Sequence, residues 1–263
     1  MTEPEILQGG VGNAGAVIRH GDQVVRPSTS HSPTLHALLR HVRERGFDGV
    51  PEPRRLDADG REWLTFIAGD VPLFPFPEWS QSNEALASTA RLLRQFHDAT
   101  VGFDPPPGAT WNTELADAEG GDVFCHNDVC PENVVYRNGQ AVALLDFDFA
   151  APGRREFDLS AFATMCVPLD APEDATRSGR GNGDPFTRLR VIADAYGLAP
   201  GRSELVDLIS ERAAGGGAFV KRRVDAGIPA FVAMWEATGG QERYDRRRLW
   251  FETEREHFLD AVG

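Results

Sequence analysis

The chain has 263 residues, of which 41% are hydrophobic and 25% charged, and its formal net charge is −13. That length can bury a sizeable core in one large domain or two lobes, and the composition is that of an ordinary globular protein. The acidity excludes nucleic-acid binding by bulk electrostatics, which needs a basic surface; it suits solubility and is compatible with a cationic small-molecule partner.

Taken in chain order, the first third reads as strands plus one helix. Gly9 to Gly15 is glycine-rich, and Ala16–His20 then reads as a strand. Gly21-Asp22 turns the chain into a partner strand, Gln23–Arg26. Ser32-Pro33 opens a helix whose Leu35, Leu38, Leu39 and Val42 share one face, ending at Gly46. Arg54–Leu56 and Glu62–Ile67, around the Asp57–Gly60 turn, predict a second hairpin. Pro72, Pro75 and Pro77 mark a connector, and Asn83–Thr100 is the first of many helices. Strands at Asn133–Tyr136 and Ala141–Leu145 meet at Asn138-Gly139, and from about Phe157 the chain is helical. The expected organisation is α+β, with a small β-rich lobe at residues 1–69 and a larger helical lobe at 70–263. No apolar run approaches the roughly 20 residues of a membrane span. The start, MTEPEILQGG, lacks the features of a secretory signal. The expectation is therefore a cytoplasmic protein with no membrane partner.

Gly10-Val11-Gly12-Asn13-Ala14-Gly15-Ala16-Val17 matches G-x-G-x-x-G-x-V. A dinucleotide site would need a helix directly after these glycines. A strand and hairpin follow instead, the arrangement of a loop folded over ATP phosphates, so Gly10, Gly12, Asn13 and Gly15 are candidate nucleotide contacts. The competing reading is a plain N-terminal turn.

The sharpest signal lies between residues 122 and 148. His126-x-Asp128 is followed by Asn133, a short hairpin, and Asp146 at the end of an apolar strand. Phosphoryl transfer needs a carboxylate to accept the acceptor hydroxyl's proton, a role for Asp128. It also needs oxygen ligands to hold Mg²⁺ against the phosphates, roles for Asn133 and Asp146. The alternative is a surface turn with scattered Asp and Asn, to which the fixed spacing beside Val-Val-Tyr and Ala-Val-Ala-Leu-Leu is opposed. Asp148 reads equally as a metal helper or a loop residue. Cys125, Cys130 and Cys166 read as reduced thiols; a zinc site from Cys125, His126 and Cys130 lacks a second ligand pair.

Through His126-Asn127-Asp128 to Asn133, Leu145-Asp146-Phe147 and Phe157-Asp158-Leu159, the chain resembles the aminoglycoside phosphotransferase family. The resemblance implies a bilobal protein-kinase-like fold and an ATP-dependent kinase of a small-molecule hydroxyl. An aminoglycoside or related amino sugar is the first acceptor to consider, with antibiotic resistance as the consequence. A metabolic kinase for a sugar, amino alcohol or nucleoside is the alternative, and a nucleotide-binding pseudokinase the third reading. It also implies that Thr65 and Ile67 meet the adenine by their backbone and that Asp158 buttresses the catalytic loop. The family places a lysine on the third strand and an acid on the following helix. Here Arg26 stands for the lysine, as a forked phosphate ligand, and Leu35 and His36 stand where the acid belongs, so the usual ion pair is expected to be missing. Asn127 replaces the family's glycine at a position where asparagine tolerates unusual backbone angles. Ala171-Pro172-Glu173 imitates the end of a protein-kinase activation segment but reads as a surface loop, continued by Gly179–Gly183.

Overall fold

The structure, a computed structural model, describes residues 4–7, 15–180, 183–199 and 202–263. Strands β1 (Glu5–Ile6), β2 (Ile18–His20), β3 (Gln23–Pro27), β4 (Pro53–Leu56) and β5 (Arg61–Thr65) form one antiparallel sheet in the order β1-β2-β3-β5-β4. Helix α1 (Ser32–Glu44) is inserted between β3 and β4, with Pro33 in its first turn and Leu35, Leu38, Leu39 and Val42 buried along one face. Because β5, and not β4, lies beside β3, Arg26 is opposite Glu62. The alternation of β5 puts Glu62 and Leu64 on its buried face.

The proline-rich connector crosses to the helical part through Gly69 and Asp70. Asp70 exchanges two backbone hydrogen bonds of 2.8 Å with Tyr136. A Cβ on Gly69 would lie 2.5 Å from Val135 Cγ1 and 2.6 Å from the Tyr136 carbonyl oxygen, at φ 155°, so only glycine fits this crossing. Helix α2 (Asn83–Thr100) has the bounds that its sequence predicts, and Ser82 caps it by accepting the Ala85 N–H at 3.1 Å.

Two antiparallel pairs follow, one nested in the other. β6 (Val123–Cys125) pairs with β9 (Ala151–Gly153), and between them β7 (Val134–Arg137) pairs with β8 (Gln140–Leu144). The inner hairpin turns through Asn138 and Gly139, both at positive φ, as a two-residue turn requires. Nesting brings the loops 126–133 and 145–150 side by side at one end, which assembles the candidate site. The outer pair is not expected from sequence, because its three-residue strands show no periodicity.

Helices α3 (Arg155–Cys166), α4 (Pro172–Arg177), α5 (Pro185–Tyr196), α6 (Ser203–Asp225), α7 (Pro229–Thr238), α8 (Gly240–Thr253) and α9 (Arg255–Val262) complete the chain. The loop expected around Ala171-Pro172-Glu173 is instead helix α4. Pro172 opens it, and buried Asp174 ties it to Arg246 and Arg177. One apolar cluster joins α1 (Leu38, Val42) to α2 (Leu93, Phe96), α3 (Leu159, Phe162), α5 (Leu189, Ile192) and α6 (Leu205). Among the described residues, no helix is long and apolar enough to cross a membrane.

Candidate active site

The loop after β6 is held from below by α3. Asp158, fully buried, accepts the backbone N–H groups of His126 (2.6 Å) and Asn127 (2.7 Å) and bonds His97 Nε2 at 2.9 Å. Burial alone would raise its pKa. The His97 hydrogen bond, the nearby histidines and the His126 N–H outweigh that and hold the carboxyl below its ordinary range. His126 Nδ1 accepts the Asp128 N–H at 3.3 Å, so Nε2 carries the proton and donates to the Leu145 carbonyl at 2.8 Å. Burial lowers the His126 pKa, in keeping with this neutral form. His126 thereby joins the two loops, and Asn127 joins them again through Nδ2 and the Phe149 carbonyl at 3.0 Å. Asn127 adopts φ 64°, the left-handed conformation that asparagine tolerates better than most residues.

These bonds also settle the metal question around the cysteines. His97, Cys125 and Asp158 have donor atoms within 4.8 Å of one another. Yet Cys125 Sγ donates to the Arg154 carbonyl, and His97 spends its nitrogens on Tyr196 and Asp158. The trio is a hydrogen-bonded buttress. His126 likewise engages both ring nitrogens with backbone groups.

Asp128 and Asn133 are in direct contact: Asn133 Nδ2 donates to Asp128 Oδ2 at 3.0 Å and to its carbonyl at 2.9 Å. Asp146 follows β8 in the left-handed region, at φ 58°, a strained position for aspartate of the kind found at functional sites. Burial, and then the Asp146 charge, push the Asp128 pKa up to about 7, while Arg212 opposes the rise. Arg212, from α6, donates to the Asn127 carbonyl. Nothing in its local sequence marks it, because it reaches the loop from 85 residues away.

Arg26 is buried, not the exposed strand residue that an isolated β-strand arginine suggests. Its fork contacts three carboxylates: Nε to Glu62 at 2.6 Å, Nη1 to Asp146 at 2.8 Å and Nη2 to Asp148 at 2.7 Å. Burial would lower its pKa, but these charges raise it. His36 bonds the second Glu62 oxygen at 2.9 Å. The ion pair expected to be missing is therefore present, with its acid supplied by β5 and not by the helix. Sequence reading missed Glu62 because strand order decides which residue faces Arg26. Asp148 takes its place here as a partner of Arg26.

Of the nucleotide-loop residues, Gly10, Gly12 and Asn13 lie outside the described residues, and Gly15 has φ 79° with open space on its Cβ side. Thr65 donates its N–H to the Glu52 carbonyl at 3.0 Å, and Phe66 donates to Asp22 at 2.8 Å. Thr65 N–H is thus committed within the sheet.

A small sheet joined to a helical part, with two loops bringing Asp128, Asn133 and Asp146 together beneath a strand-borne arginine, is the architecture of a kinase-like phosphotransferase. The sequence model of the phosphotransferase enzyme family matches residues 109–192. The trifolitoxin immunity protein of Rhizobium leguminosarum bv. trifolii is 34% identical over 193 residues, 72% of each chain. A choline/ethanolamine kinase family protein from Mesorhizobium loti superposes with TM-score 0.67 at 18% identity, over 99% of this chain and 92% of that one. The gentamicin–APH(2″)-IIa complex superposes with TM-score 0.57 at 13% identity, over 97% and 93%. The chain belongs to the phosphotransferase enzyme family, and it has a bilobal, protein-kinase-like fold.

Proposed function

We propose that the chain moves the γ-phosphate of ATP to a hydroxyl group of a small molecule, with Asp128 as the proton acceptor. The observation that carries this reading is the Asp128–Asn133 pair facing Asp146 from the adjoining loop, with the Asp128 carboxyl pushed to about 7. A base of that strength takes a proton near neutral pH, and Asn133 fixes the orientation in which it does so. His126, Asn127 and Asp158 hold the loop that presents it.

Residues for Mg²⁺ are Asn133 and Asp146. Asn133 turns its nitrogen to Asp128, which leaves the amide oxygen to ligate, and Asp146 spends only Oδ1 on Arg26. An ion held there would supply positive charge to neutralise the transferring phosphates. In this reading residues 1–69 are the nucleotide lobe. Backbone groups of Gly10, Gly12, Asn13 and Gly15 cover the phosphates, Arg26 grips them, and the Thr65–Ile67 backbone meets the adenine, with Ile67 the better donor. Residues 70–263 form the catalytic and acceptor lobe, working where ATP is supplied, in the cytoplasm.

For the acceptor, likeness to the gentamicin complex supports an aminoglycoside or related amino sugar, and with it a resistance role. Kinship to a toxin immunity protein supports the same kind of role against another compound. Likeness to the choline/ethanolamine kinase family protein supports a smaller acceptor such as an amino alcohol as the second reading. The experiment is Mg-ATP consumption against a panel of aminoglycosides, amino alcohols, sugars and nucleosides, with Asp128→Asn as the control. Nucleotide binding without turnover above that control would sink the enzymatic reading in favour of a nucleotide-binding module.

A further inference from the structure

We propose that Glu62, seated by His36, is the positioning residue for Arg26, so that the phosphate clamp is preassembled inside the sheet and does not depend on the placement of α1. The inference rests on the reading that Arg26 grips nucleotide phosphates.

Three features carry it. The fork of Arg26 is divided by function. Nε, the inner nitrogen, is held by Glu62 at 2.6 Å, while the two outer nitrogens face Asp146 and Asp148, the acids of the catalytic loops. A contact at Nε fixes the plane of the guanidinium and leaves both outer nitrogens to exchange carboxylate for phosphate oxygens. Next, Glu62 is itself immobilised. It lies at the register position opposite Arg26 and is 2% exposed, and its second oxygen is bonded by His36 at 2.9 Å. Burial would raise its pKa, but the His36 hydrogen bond and the Arg26 charge prevail and keep it a carboxylate. Last, a pair between β3 and β5 is set by backbone register, whereas a pair between strand and helix opens and closes as the helix swings. Here α1 contributes only the outer histidine. Its apolar face is packed into the same core as α2, which leaves it little freedom to swing.

Lysine could not use this arrangement, since an ammonium has no inner and outer nitrogens to divide between an anchor and a ligand. The departure at position 26 and the histidine that stands for an acid at position 36 of α1 are then one change: an arginine on the strand goes with a glutamate on the neighbouring strand.

The test is a double-mutant cycle on the full chain, read as the Kd for ATP by calorimetry, with folding followed by thermal melting. Arg26→Ala and Glu62→Gln should each weaken ATP binding about tenfold or more, the scale of one charge-assisted hydrogen bond. In the Arg26→Ala background, Glu62→Gln should cost no further affinity, because a positioning residue acts only through the group it positions. Equal losses in both backgrounds, or an affinity indifferent to Glu62→Gln while Arg26→Ala weakens it, would overturn the proposal and leave the kinase reading standing. A wild-type chain that binds no ATP would sink both. If Glu62→Gln fails to fold, Glu62→Asp, which keeps the charge but shortens its reach, carries the same cycle.

Discussion

At the scale of single residues, the candidate base is set against the stability of the chain. Asp128 is pushed to about 7 from an ordinary 3.8 by burial and by Asp146. Its folded pKa lies above the unfolded one, so the fold favours the protonated acid. The contribution is fully present below about pH 4 and is lost as pH rises through 7, because ionising the group inside the site costs more than ionising it in water. Asp128→Asn removes that penalty while abolishing the base. Its phosphoryl transfer should fall by roughly 10²–10⁴-fold. Its melting temperature should exceed the parent's at pH 8, by the equivalent of roughly 2–4 kcal/mol, and converge on it as pH falls below about 4. A variant no more stable at pH 8 would place the carboxyl in a more solvated setting than the one described. Asp128, Asn133 and Asp146 could be singled out as candidates in sequence because they sit at short spacings around one hairpin. Glu62 and Arg212 could not be, since one depends on strand order and the other on a helix packing back from far along the chain.

At the scale of elements, the site depends on two nested strand pairs and on the helix beneath them. Asp158 at the start of α3 satisfies two loop N–H groups and His97 at once, so its loss leaves several buried donors unpaired. Asp158→Ala should therefore destabilise the chain by about 3 kcal/mol or more and lower kcat beyond what the lost stability explains. Calorimetry and kinetics on the folded fraction check this; unchanged turnover would reduce Asp158 to a packing residue. Gly69→Ala tests the crossing between the sheet and β7. The added Cβ meets backbone that cannot yield, so melting should fall by roughly 5 °C. Long elements such as α2 were readable because an apolar stripe runs along all eighteen residues. The three-residue strands β6 and β9 carry no period to read, and α4 was hidden because proline, glutamate and aspartate suit a loop as well as a first helical turn.

Across the whole molecule, arginine supplies nearly all of the positive charge, Lys221 being the one lysine, and many of its forks are spent on acids: Asp117 by Arg154, Asp98 by Arg155, Asp170 by Arg243, Asp174 by Arg246. At the candidate site Arg26 is likewise shared, by Glu62, Asp146 and Asp148. Ligand binding there should be visible as stability of the entire chain, since α1 and the helical core form one apolar cluster. A ligand at about 100 times its Kd stabilises by about 2.7 kcal/mol, enough to move a melting curve by several degrees. The parent should therefore melt higher with ATP and Mg²⁺ than with ATP and a chelator. Asp146→Ala should abolish that difference, because it removes a ligand to the ion, yet keep the shift given by metal-free ATP, because Arg26 Nη1 is then released toward the phosphates. A variant that loses both shifts alike would show Asp146 to be a structural carboxylate whose work is to seat Arg26. A variant that keeps the Mg²⁺-dependent increment would move the metal to Asn133 and Asp148.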